Sequence, residues 1–343
     1  MRLRVIAAGG GTGGHLYPNL AILEELANQV ELDVLYFVVR GKIDEKVINS
    51  EHPEYKVISL NLRGFSRPLW NPCNLRTILK VLLEKSKIKE AIRAFKPDFA
   101  MLSGGYVCGP VALAARSLKV PIFVHEQNVI PGFANSLIAH FARKIFISFE
   151  KSLEYFPERA RDRIVYTGCP VRVHGRKLEV PFDDFVLVLG GSLGSDFINS
   201  LMEKVYRLYD EDTFVHVTGS EEWRERFKKF DHVAPYVYIN GIHNFWQKAR
   251  TAVTRGGAST LGEMMYYGVR GLVIPWEGST GSHQLMNALE AEKKGVVSVL
   301  REEEATPDKV IEVLKDLKKK GKLMKAFENP AKKIVREILG EIR

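Results

Sequence analysis

The run Gly9-Gly10-Gly11-Thr12-Gly13-Gly14 stands directly before His15. Small residues let a ligand approach the backbone, and the helix that follows such a turn offers N–H groups to an anion. An imidazole behind that turn can take a proton from a hydroxyl nucleophile near neutral pH, or it can cap the helix. The residues alone leave both roles open. Gly9, Gly11 and Gly14 spell G-x-G-x-x-G, a weak sign of a dinucleotide site. Such a site also wants an acidic residue at the end of the second strand; here Val38-Val39-Arg40 stands there, which suits only NADP. A P-loop needs G-K-[ST] after its glycines, and His15 takes that place.

Three further clusters carry chemistry. His125-Glu126-Gln127-Asn128 follows the apolar run 120–124, at the strand end where open α/β sheets bind ligands; the alternative is a hydrogen-bonded turn. No H-E-x-x-H is present, so zinc is not expected there. Arg255-Gly256-Gly257-Ala258-Ser259-Thr260 opens a helix that carries Glu263. Its N–H groups and hydroxyls suit a phosphate, and Glu263 can accept from two vicinal ribose hydroxyls or merely favour the start of its helix. Gln284 and Asn287 lie three apart on one helical face, and their amides suit sugar hydroxyls or a solvated surface. Asp210-Glu211-Asp212 spells D-x-D but falls between a helix pattern and a strand. It reads as a polar loop, and no catalytic metal is expected.

These residues need scaffolds to hold them. Residues 3–8 form an apolar run suited to a strand buried on both faces, and Leu20, Leu23 and Leu26 recur at helical spacing after the glycines. The pattern returns at a constant offset of 180. A strand at 185–189 leads into Gly190-Gly191-Ser192-Leu193-Gly194, then Ile198, Leu201, Met202 and Val205 on a helix face. Further strands are expected at 213–217, 237–239, 251–254 and 271–274. Two such starts, each heading alternating strands and helices, predict an α/β protein of two Rossmann-like doubly wound domains. The first should span 1–167 and the second 168–327, with a break near Gly168-Cys169-Pro170. An amphipathic helix within 328–343 should pack back on the first domain.

The 343 residues are enough for two sizeable cores. A net charge of +9 favours an anionic partner, whether nucleic acid, membrane surface or phosphorylated substrate. No recognisable nucleic-acid module accompanies it, so none is expected as partner. Cys73, Cys108 and Cys169 are far apart, which fits a reducing cytoplasm rather than a disulfide framework. The uncharged stretch 99–115 is too short and too broken by Gly104, Gly105, Gly109 and Pro110 to cross a bilayer. Apolar anchors among basic residues suit an anionic bilayer surface: Phe65, Leu69 and Trp70 beside Arg63, Arg67 and Arg76, then Leu75, Ile78, Leu79 and Leu82 after a helix start at Asn71-Pro72. That helix stripe can equally pack on its own sheet; Leu69 and Trp70 are the stronger membrane candidates.

In order along nearly the whole chain stand Gly10 to His15, Gly104-Gly105-Tyr106, His125 to Asn128, Gly168-x-Pro170-Val171-Arg172, Gly190-Gly191-Ser192, Arg255-x-Gly257-Ala258 with Glu263, and Gln284-x-x-Asn287-Ala288. Together they resemble the MurG family, the bacterial peptidoglycan N-acetylglucosaminyltransferases. The resemblance implies a GT-B fold, two domains facing a cleft. It implies UDP-N-acetylglucosamine as donor, lipid I (undecaprenyl-pyrophosphoryl N-acetylmuramyl pentapeptide) as acceptor, and inversion to a β-1,4 link at the cytoplasmic face of the membrane, with no cofactor required. His15 would be the base, with Glu126 next in line. Arg172 and Ser192 would meet the donor diphosphate, Glu263 the ribose, Ile239 and Ile242 the uracil, and Gln284 and Asn287 the sugar. Thr12, Gly13, Gly14 and Asn128 would add donor contacts from the acceptor side, where Tyr106 and His125 would line the acceptor. The family's second loop usually reads G-G-S-Q-G-A; Leu193 and Ser195 depart from it, as do Cys169 for asparagine and His283 for glutamine. Another UDP-sugar transferase of this fold, an NADP oxidoreductase and a non-catalytic sugar-nucleotide-binding subunit are the rival readings.

Overall fold

The computed structural model describes residues 1–64, 74–173, 178–191, 194–278, 283–323 and 328–342, without the side chains of 74–79 and 82. Leu69, Trp70, Ser192 and Leu193 lie outside the described residues, as does the helix start at Asn71-Pro72. The chain divides into two compact units, Met1–Pro170 with Pro330–Arg343, and Val171–Asn329.

The first unit alternates strand and helix: β1 (Arg2–Ala8), α1 (Gly13–Ala27), β2 (Glu31–Val39), α2 (Ile43–Glu51), β3 (Lys56–Leu60), α3 (Asn74–Phe95), β4 (Phe99–Leu102), α4 (Cys108–Ser117), β5 (Ile122–Glu126), α5 (Phe133–Ile138), β6 (Lys144–Ile147) and β7 (Ile164–Tyr166). Its seven strands lie in the order β3-β2-β1-β4-β5-β6-β7, and every neighbouring pair is parallel. Parallel strands need helical crossovers, which cover both faces and bury β4 and β5 at every position. The order reverses between β1 and β4. Their adjoining loops therefore flank an open crevice, the usual ligand position in such sheets.

The second unit repeats the plan with β8 (Phe185–Leu189), α6 (Asp196–Leu208), β9 (Phe214–Val217), α7 (Glu221–Phe227), β10 (Val233–Tyr236), α8 (His243–Lys248), β11 (Ala249–Thr254), α9 (Ala258–Tyr267), β12 (Arg270–Val273), α10 (His283–Lys293), β13 (Val297–Val299) and α11 (Pro307–Lys320). The order β10-β9-β8-β11-β12-β13 puts its switch point between β8 and β11. The strand expected at 237–239 is instead β10, four residues upstream. Pro235 has no N–H for a ladder and hides an edge strand from a pattern search; an edge, with one side unpaired, is where it is tolerated.

The last helix, α12 (Pro330–Ile342), joins the first unit. Ala331, Ile334, Val335, Ile338 and Leu339 recur at i, i+3, i+4, i+7 and i+8 and all five are buried, the last four in one cluster with Leu16, Leu20 and Leu23 of α1. Each large apolar side chain contributes on the order of 2 kcal/mol. The flanking ion pairs Arg143–Glu341 and Lys144–Glu337, each at 2.6 Å, are partly solvated and add under about 1 kcal/mol apiece. The apolar stripe therefore holds the helix in place.

Candidate active site

In the first unit the loops after β1 and β4 interlock. A Cβ on Gly9 would strike the Ser103 hydroxyl, and one on Gly105 the Gly10 carbonyl oxygen. Gly11 (φ 87°) turns the chain beneath Tyr106, whose ring edge would lie 3.1 Å from a Cβ there. Asp44, fully buried on α2, accepts from the N–H groups of Gly11 (3.2 Å) and Val39 (2.7 Å). Burial raises the Asp44 carboxyl against the pull of these N–H bonds. The loop is thus braced from below before any ligand arrives.

His15 sits in the first turn of α1 and keeps part of its surface open. Its Nδ1 lies 3.0 Å from the Ser103 carbonyl oxygen and 3.3 Å from Gln127 Oε1. The Ser103 hydroxyl donates to the His15 carbonyl at 2.8 Å, tying the same two residues a second time. No described group hydrogen-bonds Nε2. Thr12 is the exposed residue before the helix, and its carbonyl accepts from the His15 and Leu16 N–H groups. Gly13 is buried and Gly14 exposed.

The cluster after β5 divides between two tasks. Glu126 is fully buried, and its carboxylate accepts from four donors: Asn128 N (2.9 Å) and Nδ2 (3.2 Å) to Oε1, Gly132 N (3.0 Å) and Asn135 Nδ2 (2.8 Å) to Oε2. With both oxygens so engaged, Glu126 shapes the 127–132 loop and is poorly placed to collect a substrate proton. His125 does not line an open surface: it is fully buried, with Nε2 beside Ser148 Oγ (3.2 Å) and the Gly168 carbonyl (3.3 Å). Burial lowers its pKa to about 3, so it stays neutral. Alternating side-chain direction along β5 explains why His125 turns inward, away from the loop it introduces.

The second unit places its loops at the other switch point. Gly191 (φ 92°) has open space among the described residues where a Cβ would stand, while Gly194 (φ 77°) packs against Thr218. Ser195 caps α6, accepting from Ile198 N at 3.4 Å. Arg255 reaches across from β11 to the Ser195 hydroxyl and the Ile274 carbonyl (3.0 Å), and pairs with Glu302 at 2.6 Å. It is buried, and burial lowers its pKa. Arg172 is half-buried just inside this unit.

Glu263 lies within α9 and accepts from the indole N–H of the buried Trp246 at 3.0 Å. Its side chain keeps some surface, yet burial pushes its pKa up to about 7, against the lowering effect of that indole. Ile239 is buried and Ile242 half-buried on the segment leading into α8. Gln284 Oε1 accepts from Gly256 N (3.2 Å) and Trp276 N (3.0 Å), and the buried Asn287 donates to the Gly256 carbonyl at 3.3 Å. Both amides therefore clamp the Gly256 turn. Asp212 of the D-x-D sequence is engaged by Arg250, Lys318 (each 2.6 Å) and the Tyr209 hydroxyl. Among the described residues no group of three His, Cys, Asp or Glu side chains could hold a metal ion.

The sequence reading missed Asp44, Ser103, Asn135, Trp246 and the placing role of Gln127. Their links to Gly11, His15, Glu126 and Glu263 span 9 to 112 residues of chain, beyond any local motif.

The N-terminal domain model of glycosyltransferase family 28 matches residues 5–147, and its C-terminal domain model matches 185–341. A curated Thermotoga neapolitana protein, named UDP-N-acetylglucosamine–N-acetylmuramyl-(pentapeptide) pyrophosphoryl-undecaprenol N-acetylglucosamine transferase, is 58% identical over 341 residues, covering 99% of this chain and 100% of its own. Proteins of the same name from Thermotoga maritima and Pseudothermotoga lettingae are 54% and 45% identical, over 99% of this chain and 99% and 100% of theirs. Among solved structures, Acinetobacter baumannii MurG superposes with a TM-score of 0.75 at 21% identity over 98% of this chain and 99% of that one. At that identity it shows a shared fold.

Proposed function

Because the chain belongs to glycosyltransferase family 28, and within it to the MurG family, we infer that it moves N-acetylglucosamine from UDP-N-acetylglucosamine to undecaprenyl-pyrophosphoryl N-acetylmuramyl pentapeptide. The end-to-end identity of 58% to a transferase of that name carries this reading. The product is lipid II, for peptidoglycan synthesis.

The chemistry follows from the residues. The acceptor 4-hydroxyl oxygen attacks the donor sugar C1. Its proton passes to His15 Nε2, and the C1–O bond to the diphosphate breaks, its electron pair leaving with UDP. Attack opposite the leaving group gives inversion. Oriented donors at the departing oxygen stabilise it in the transition state. In this reading Arg172, Ser192 and the N–H groups of the second glycine loop supply them, Glu263 takes the ribose hydroxyls, Ile239 and Ile242 frame the base, and the Gln284 amide reads the sugar. Tyr106, Thr12 and Asn128 edge the acceptor side. No cofactor is required, so turnover should survive a metal chelator; loss of turnover restored by a divalent ion would overturn that part.

The lipid acceptor calls for work at a membrane, at its cytoplasmic face and from one side. No described helix is long and apolar enough to cross a bilayer. α3, α4 and α5 cover one face of the first sheet, their buried sides joining one core, and expose Leu83, Leu113, Phe133 and Leu137 outward. With the net charge of +9 these support docking on an anionic surface.

The test is UDP release by the purified chain with and without a soluble lipid I analogue. Release that needs the analogue and fails with UDP-glucose or UDP-N-acetylgalactosamine is expected. Release indifferent to the analogue, or none despite UDP binding, would overturn the acceptor and favour another UDP-sugar enzyme or a binding subunit.

A further inference from the structure

We propose that Gln127 is a positioning residue for His15: with the Ser103 carbonyl it fixes the ring as the Nδ1–H tautomer, which leaves the Nε2 lone pair as the proton acceptor. This deepens the reading of His15 as base and rests on it.

The argument begins with what each partner can do. A main-chain carbonyl only accepts, so the 3.0 Å approach of Ser103 O favours the proton on Nδ1. In a neutral imidazole the other nitrogen then carries the lone pair. Gln127 adds a second acceptor at 3.3 Å, and its orientation is determined by its far side. Its Nε2 donates to the same Ser103 carbonyl at 2.6 Å. A flipped amide would set oxygen against oxygen there and nitrogen against the ring N–H, so Oε1 must face His15. Gln127 and Ser103 are both buried, and no solvent competes for these bonds. Gly104 (φ 95°) leaves the room: a Cβ there would lie 2.9 Å from Nδ1.

The surroundings make the amide the chosen partner. On β5 stand His125, neutral through burial, and Glu126, bound to Asn128, Gly132 and Asn135. Asp44 on α2 holds the Gly11 and Val39 N–H groups. Tyr106 lies against Gly11, and Cys108 donates to the Ala8 and Gly104 carbonyls. None of these hydrogen-bonds the ring. A carboxylate in place of Gln127 would stabilise imidazolium and hold the ring protonated at higher pH, which costs a base its lone pair. The neutral amide sets the tautomer without adding charge.

The test combines spectroscopy with kinetics. Long-range proton–nitrogen NMR of the full chain, with His15 assigned by comparison with His15→Gln, should show one neutral tautomer protonated at Nδ1. In Gln127→Met the tautomers should mix, and kcat should fall about tenfold with the donor KM unchanged. In Gln127→Glu the acidic limb of kcat/KM should move up by about one pH unit or more. A native ring protonated at Nε2 would overturn the proposal. So would a Gln127→Met chain that folds and keeps both its tautomer and its pH profile. If His15→Gln keeps its kcat, the base assignment fails, while the NMR result still decides the tautomer on its own.

Discussion

The Arg255 guanidinium donates twice to the Ser195 hydroxyl, from Nε at 3.1 Å and from Nη2 at 2.8 Å. Ser195 is also the N-cap of α6, so one oxygen joins the second glycine loop to the end of β11 across the switch point. The MurG pattern usually has alanine there, which offers no oxygen to Arg255. Ser195→Ala should lower stability by about 1–2 kcal/mol, for the lost cap and two unanswered donors. The donor KM should rise several-fold with kcat little changed, and Ser195→Thr should restore it. Denaturant melts and donor saturation curves read both effects.

Glu263 should make donor affinity depend on pH. A carboxylate accepting two ribose hydroxyls must be ionised, so affinity should rise with pH and level off above about 7. Titrating UDP into the native chain and into Glu263→Gln, and taking the difference, removes the titration of the phosphate itself. A difference flat in pH would exclude the ribose role. Stability should move the other way. The folded-state pKa is raised, so the contribution is complete below the ordinary 4.5 and is lost as pH rises through about 7. It amounts to at most ~3 kcal/mol, reduced by the solvent at the residue's open edge.

Glu126→Gln should separate shape from proton transfer. The variant replaces one acceptor oxygen by a donor facing Asn128, Gly132 or Asn135, which should cost about 2–3 kcal/mol of stability and reduce kcat. The acidic limb of the pH–rate profile should stay where it is. If that limb disappeared in Glu126→Gln and survived in a His15 variant, the base would be Glu126.

Ile338→Ala should cost about 2–4 kcal/mol, since the side chain is fully buried against the first unit. Thermal unfolding followed by intrinsic fluorescence would measure it. A loss below about 0.5 kcal/mol would mean that α12 contributes little to that core.

How far the sequence could be read depended on how local each signal was. The two glycine turns were legible because close packing at Gly9, Gly10, Gly190 and Gly194 and positive φ at Gly11, Gly191 and Gly194 favour glycine, and the constant offset between them exposed the repeated plan. The C-terminal helix was legible from its stripe, since Ile334, Val335, Ile338 and Leu339 keep helical spacing in any context. β10 was displaced because Pro235 breaks the expected strand composition. His125 stands at the strand end where open sheets bind ligands, which with the family resemblance points it at the acceptor, but successive strand residues point to opposite sides. Gln284 and Asn287 were legible as paired amides, while their hold on Gly256 was not, because that turn is about 30 residues upstream. Asp44 gave no local signal at all; only the folded crossover brings α2 under Gly11.

The placement of α12 also bears on how the chain is made. The cluster that α12 completes faces α1, β1 and β4, all of which leave the ribosome early. Roughly 160 residues of the second unit must be synthesised before that helix exists, which takes on the order of ten to thirty seconds. Through that interval the nascent first unit carries a bare apolar strip. Emergence of α12, rather than of β7, is the event that seals it, so a product truncated or stalled before α12 would present a sticky surface to holdase chaperones.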